Sequence, residues 1–281
     1  MEKNTISSDS NLVINWFPGH MVTALRMIEK ELRLCDVIIY VLDSRAPMST
    51  LNPKFDELIL RKPVLFVLNK ADLAVDGVAL TFREKVGGHK VVALDSTKSG
   101  ALQKISNIVE KMVAGKIQTA TNKGIKKVVR AIVIGVTNSG KSTLINNLAN
   151  KGKAQAANRP GVTRGKQWVE AGSHFYVLDT PGTLYPSKMS QPALKNLAYL
   201  GSIKDDVIDF ITLSKYLIID LEVLEPGCIE RRFGAKEFDE IALKRGYTLK
   251  GGVIDEERCA KALLTEFRAG KIGKFNLDKL L

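Results

Sequence analysis

The stretch "GVTNSGKS", residues 135–142, has the spacing G-x-x-x-x-G-K-S. It ends an apolar, β-branched run, "VVRAIVIG" (128–135), and opens a helical pattern over 141–149. A glycine-rich turn at such a junction aims successive backbone amides at one point, where they cradle phosphate oxygens. Asn138, Ser139 and Gly140 would line the cradle and Lys141 would reach the β- and γ-phosphates. Ser142 would ligate magnesium, and Thr143 beside it would bind the nucleotide.

A phosphate cradle leaves the base unread. "NKAD", 69–72, ends the run "VLFVL" (64–68). Asp72 there would accept hydrogen bonds from the ring NH and exocyclic amine of guanine, donors that adenine lacks. By itself the motif is weak, since Asp72 could equally cap a following helix; beside a phosphate loop, Asn69, Lys70 and Asp72 become base-reading residues. "DSTKSG", 95–100, ends a third run and offers Ser96, Thr97 and Lys98 as a loop against the guanine carbonyl. "LDTPG", 178–182, places Asp179 as a magnesium ligand through water and the Gly182 amide at the γ-phosphate. "RPGVTR", 159–164, offers Thr163 as a second hydroxyl ligand.

These loops need a scaffold that brings strand ends to one edge. Apolar runs at 36–43, 64–68, 91–94, 128–135, 167–171 and 175–179 are mostly continuous rather than alternating, as strands buried on both faces are. Helical patterns at 22–34, 53–61, 101–114 and 141–149 lie between them. The alternation predicts a doubly wound, mostly parallel α/β sheet of the P-loop NTPase class. Beyond about residue 185 the pattern turns wholly helical, with segments near 192–200, 204–214, 235–245 and 255–269. Two domains are expected, 1–185 for the nucleotide and 186–281 as a small all-α domain. The motif order is unusual, because the base-reading loops precede the phosphate loop. A sheet tolerates new chain ends where the old ones lay close together, so the order reads as a circular permutation.

The composition suits a protein of this kind. The 281 residues are 45% hydrophobic and 26% charged, enough to bury a sizeable core. Three scattered cysteines give no disulfide framework, and no signal peptide or membrane span is legible, so a cytoplasmic protein with no membrane partner is expected. Net charge is +12, and between 121 and 167 Lys123, Lys126, Lys127, Arg130, Lys141, Lys151, Lys153, Arg159, Arg164 and Lys166 stand without an acid. Such a run is either a solvated face or a surface for a polyanion.

The ordered set "WFPGHM", "DSRAP" (43–47), "NKAD", "GVTNSGKSTLIN", "RPGVTRGKQW" and "LDTPG", with "GGVIDEERCAKALLTEFRAGKIGKF" near the C-terminus, resembles the bacterial ribosome biogenesis GTPase A family over nearly the whole chain. The resemblance implies GTP hydrolysis stimulated by a late precursor of the large ribosomal subunit. It also implies contact of the helical domain with ribosomal RNA; release after hydrolysis and a monomer are expected. A GTP-sensing checkpoint with incidental hydrolysis, or a GTPase acting on transfer RNA or translation, are the alternatives. The position after DTPG, where many small GTPases keep a water-orienting glutamine, is Thr183. The family's catalytic histidine maps onto His20, in the segment 11–21, although that histidine could also serve as part of an aromatic anchor. Asn138 stands where potassium-dependent members place a cation-ligating asparagine, or it only stabilises the turn.

Overall fold

The structure, a computed structural model, describes residues 12–14, 28–53, 62–98, 100–152, 168–170, 175–180 and 189–281. Its six strands are β1 (Val37–Asp43), β2 (Val64–Asn69), β3 (Lys90–Ala93), β4 (Val129–Ile134), β5 (Trp168–Glu170) and β6 (Phe175–Asp179). They form one sheet in the order β3-β2-β1-β4-β6-β5, parallel except for β5. Each run expected to be buried on both faces forms a strand. In β1 every residue is buried, and alternate residues serve opposite faces. Val37, Ile39 and Val41 pack with Ile105 and Leu144 on one side; Ile38, Tyr40 and Leu42 pack with Phe66 and Phe82 on the other.

The helices between strands are α1 (Pro47–Thr50), α2 (Val78–Val86), α3 (Ala101–Met112), α4 (Ala114–Thr121) and α5 (Lys141–Gly152); residues 28–32 are also helical. The expected helix over 53–61 falls mostly outside the described residues. From residue 189 onward come α6 (Gln191–Tyr199), α7 (Phe210–Leu224), α8 (Cys228–Phe233), α9 (Phe238–Lys244) and α10 (Glu256–Arg268). The helix expected at 204–214 begins later, because the Asp209 carboxylate accepts from the Thr212 amide at 3.1 Å and caps α7 there. Residues 205–207 make only a 3-10 turn.

The helical region does not stand apart. Its apolar core, built on Leu197, Leu217, Leu263 and Phe267, takes in Ala46 beyond β1 and Val136 beyond β4. The Asp278 carboxylate accepts from the amides of Met48 and Ser49, at 2.6 and 3.0 Å, and from the Ser49 hydroxyl. No helix among the described residues is long and apolar enough to cross a membrane.

Candidate active site

Parallel strands put all their C-terminal ends on one edge, and here the strand order changes direction between β1 and β4. From that switch point chain crossovers leave in opposite directions, which opens a crevice for a ligand. The phosphate loop, 135–140, leaves β4 at that crevice. Gly135 has φ 150°, and a Cβ on it would lie 2.2 Å from the Val41 carbonyl oxygen. Only glycine lets the loop turn so close to β1. At Gly140, φ 91°, a Cβ would lie 2.1 Å from the Asn69 Nδ2.

Asn69 is buried and joins three loops. Its Nδ2 donates to the Ser139 carbonyl at 2.9 Å, and its Oδ1 accepts from the Ser96 amide at 3.0 Å. The Asn147 amide of α5 donates to the Ser96 carbonyl at 2.6 Å, closing the same group from the helix side. Lys70, in the left-handed region at φ 56°, donates to the Asn138 carbonyl at 2.6 Å and to Asp43 Oδ2 at 2.9 Å. The Lys141 ammonium, buried, lies 2.7 Å from the Val136 carbonyl, and the Ser139 hydroxyl donates to the same oxygen at 3.0 Å. Asn69, Lys70, Ser96, Ser139, Gly140 and Lys141 thus lie together at this edge.

The remaining site residues take less committed positions. Ser142 and Thr143 are exposed in the first turn of α5, where backbone amides and the helix dipole favour an anion. Asp72 is exposed in the 3-10 turn 71–73, on the same strand-end side as Asn69. Thr97 donates both its amide and its hydroxyl to Asp95 Oδ1, at 2.9 and 2.6 Å, and this holds the Asp95 carboxyl below its ordinary value. Lys98 is paired loosely with Asp95. Asp179 closes β6 in register with Val133 of β4, and the Thr180 hydroxyl reaches the Val133 carbonyl. His20, Thr163, Gly182 and Thr183 lie outside the described residues.

Two features of the site have no counterpart in the motif reading. Asn138, φ 59°, donates its side-chain amide to the Gly201 carbonyl of the helical region. Asp43 and Arg45 of "DSRAP" form a buried pair: Arg45 Nε and Nη2 donate to Asp43 Oδ1 and Oδ2 at 3.0 and 2.8 Å. Burial alone would raise the Asp43 carboxyl, but the Arg45 guanidinium and the Lys70 ammonium outweigh it and hold the group well below the carboxylate range. An acid closing an otherwise apolar strand, with a base two residues further on, was the signal available for this pair. Cys35, Cys228 and Cys259 are buried free thiols pushed up to about 12 by burial, which removes them from nucleophilic chemistry.

The basic run divides. Lys141 serves the phosphate loop, whereas Lys123, Lys126, Lys127 and Arg130 cluster at the opposite, N-terminal edge of the sheet. Lys127 pairs with Asp36 at 3.1 Å and Arg130 lies over the Trp168 ring; Lys123 and Lys126 are exposed.

Fold and site together define a P-loop GTPase whose sheet is circularly permuted. Residues 130–230 match the family model described as "50S ribosome-binding GTPase". The Ribosome biogenesis GTPase A of Bacillus cereus is 37% identical over 280 residues, covering 95% of this chain and 94% of that protein. That of Thermotoga maritima is 31% identical over 269 residues, covering 95% and 94%. The GDP-bound structure of TM YlqF superposes with a TM-score of 0.63 at 27% identity, covering 90% of this chain and 98% of that one. A structure of GNP-bound YlqF from T. maritima matches at the same TM-score. The chain belongs to the ribosome biogenesis GTPase A family, and it is a GTPase.

Proposed function

We propose that this GTPase acts in ribosome assembly: it binds a late precursor of the large ribosomal subunit, hydrolyses GTP when the particle stimulates it, and is released as GDP forms. The observation that carries the reading is the bridge made by Asn69, whose single amide joins the phosphate loop at Ser139 to the base-side loop at Ser96. The relatives' names supply the setting.

In this reading the β-phosphate lies in the 135–140 loop against the start of α5, with Lys141 neutralising charge between the phosphates. Asp72 reads guanine, helped by the loop at Ser96, Thr97 and Lys98. The exposed Ser142 hydroxyl suits a hard cation, and with Thr163 and Asp179 it would hold magnesium, which screens the phosphate charge when bound. Asn138 would ligate potassium. His20 would orient the attacking water, and Gly182 would contact the γ-phosphate. Residues 1–185 form the GTPase domain and 186–281 the RNA-contacting helical domain of a cytoplasmic monomer.

The deciding experiment measures GTP turnover with large subunits, small subunits and no particle. Strong stimulation by large subunits alone is expected. Equal rates in all three arms would remove the assembly role.

A further inference from the structure

The phosphate loop is held from two sides, and only one of them is the sheet. Asn138 sits in the left-handed region, which asparagine tolerates better than other side chains, and contacts on two sides hold it there. Its carbonyl accepts from Lys70, and its side-chain amide donates to Gly201 just beyond α6. Next to it, the Thr137 hydroxyl donates to the Ser202 carbonyl, and the Ser202 hydroxyl returns a bond to the Thr137 carbonyl at 2.9 Å. Three hydrogen bonds therefore fix the loop to a turn some sixty residues away in sequence.

That turn is built by one arginine. Arg268, at the end of α10, donates Nε to the Tyr199 carbonyl and Nη2 to the Ala198 carbonyl, each at 2.9 Å. These are carbonyls of the last turn of α6, beyond the regular helical ladder, and the Ala198 carbonyl also accepts from the Gly201 amide at 2.9 Å. The same guanidinium makes a two-pronged bond to Asp205, with both contacts at 2.7 Å. Gly201, φ 70°, lies between: a Cβ there would be 3.1 Å from Arg268 Nε and 3.3 Å from Asn138 Nδ2. The backbone of Arg268 is held in turn by Arg45, whose Nη1 donates to the carbonyls of Phe267 and Arg268 at 3.4 and 3.3 Å. Arg45 pairs with Asp43, Asp43 with Lys70, and Lys70 with Asn138. The chain of polar contacts closes on itself.

We propose that Arg268 is a positioning residue for the phosphate loop, acting through the 198–202 turn to fix Thr137 and the side chain of Asn138. The inference rests on the nucleotide-site reading and adds to it a second region of the chain that sets the geometry of the site. A planar fork is required, because one guanidinium meets two carbonyls and a carboxylate at once; an ammonium of equal charge cannot. Any partner that shifts α6 against α10 would then alter the loop, and by reciprocity the occupied loop would alter how the helical region binds that partner.

The test uses the full chain with Arg268→Lys, and with Thr137→Val as a near-isosteric second variant that loses only the hydroxyl. Amide hydrogen exchange across 136–140 is read first, without nucleotide. Both variants are expected to speed exchange in this loop, Arg268→Lys by about tenfold, while β1 and β2 stay protected. Unchanged loop exchange in Arg268→Lys would overturn the proposal.

The potassium concentration that half-activates GTP turnover is read next, with Asn138→Ala alongside. It should rise by about tenfold in Arg268→Lys, and Arg268→Lys should add nothing to Asn138→Ala, as expected for two groups acting in one chain. Multiplied losses in the double variant would overturn the route through Asn138. If loop exchange responds but Asn138→Ala keeps the wild-type potassium response, Arg268 still positions the loop, and it is the cation reading of Asn138 that fails.

Discussion

The two edges of the sheet carry charge in opposite ways. On the C-terminal edge Asp43, Arg45, Asn69 and Lys141 are buried and committed to one another or to loop carbonyls. On the N-terminal edge Lys123 and Lys126 project into solvent, while Lys127 and Lys116 share one carboxylate, Asp36, at 3.1 and 3.8 Å. Fixed dipoles in a water-poor crevice act on a small ligand without reorganising, which is what phosphoryl transfer asks of a protein. Mobile exposed lysines act on a large polyanion by releasing its counterions and need no fixed geometry. Mutations should therefore cost much at the first edge and little at the second.

The largest effect is expected at Asp43. Asp43→Asn leaves the Arg45 guanidinium, 1% exposed, without its counter-charge, and breaking such a pair costs about 3–5 kcal/mol. The pH dependence has a definite sign. The folded-state carboxyl is held below its ordinary 3.8, so its contribution is complete above that value and is lost as pH falls through the folded value. Urea midpoints for the wild-type chain should fall below pH 4 more steeply than those of Asp43→Asn; parallel curves would break the assignment.

Gly140→Ala comes next. Its Cβ would displace the Asn69 amide and force a side chain onto φ 91°, a combined cost of about 3 kcal/mol or about a hundredfold in GDP affinity. Calorimetric titration reads it directly. Asp72→Asn should weaken GTP by about tenfold or more, because an amide replaces a two-acceptor carboxylate, and should make xanthosine nucleotides competitive. Competition binding decides the point: unaltered preference for GTP would remove Asp72 from base recognition. The smallest effect belongs to the other edge. Lys126→Glu should leave GTP affinity untouched and lower the salt-dependence slope of particle binding by about one. An unchanged slope would make that edge a solvated face and nothing more.

What could be read from the sequence follows the same division by range. β1, β2 and β4 were legible because strands buried on both faces appear as unbroken β-branched runs. The loops at Asn69, Ser96 and Gly140 were legible because glycine spacing and strand ends fix them locally. α2 and α8 were not, since each is short and starts at a glycine with positive φ, Gly77 and Gly227, instead of a side-chain cap. Nor was the pairing of Lys127 with Asp36, or the approach of Arg268 and Gly201 to Asn138. Contacts between residues sixty or more apart leave no periodicity behind, and a polar residue facing such a partner looks in sequence like one facing water.

The strand order also has a consequence for the chain as it is made. β1, β2 and β3 leave the ribosome in the order in which they pair, so this half of the sheet can assemble first. Its other neighbour, β4, starts at Val129, and Val37 to Tyr40 have no partner on that side until Ala131 to Ile134 arrive. At about 5–20 residues per second of synthesis, a strand apolar but for its last residue, Asp43, presents an open hydrogen-bonding edge for several seconds. Such an edge is where other chains add. The permuted order places this interval of vulnerability to aggregation on β1, which waits for β4.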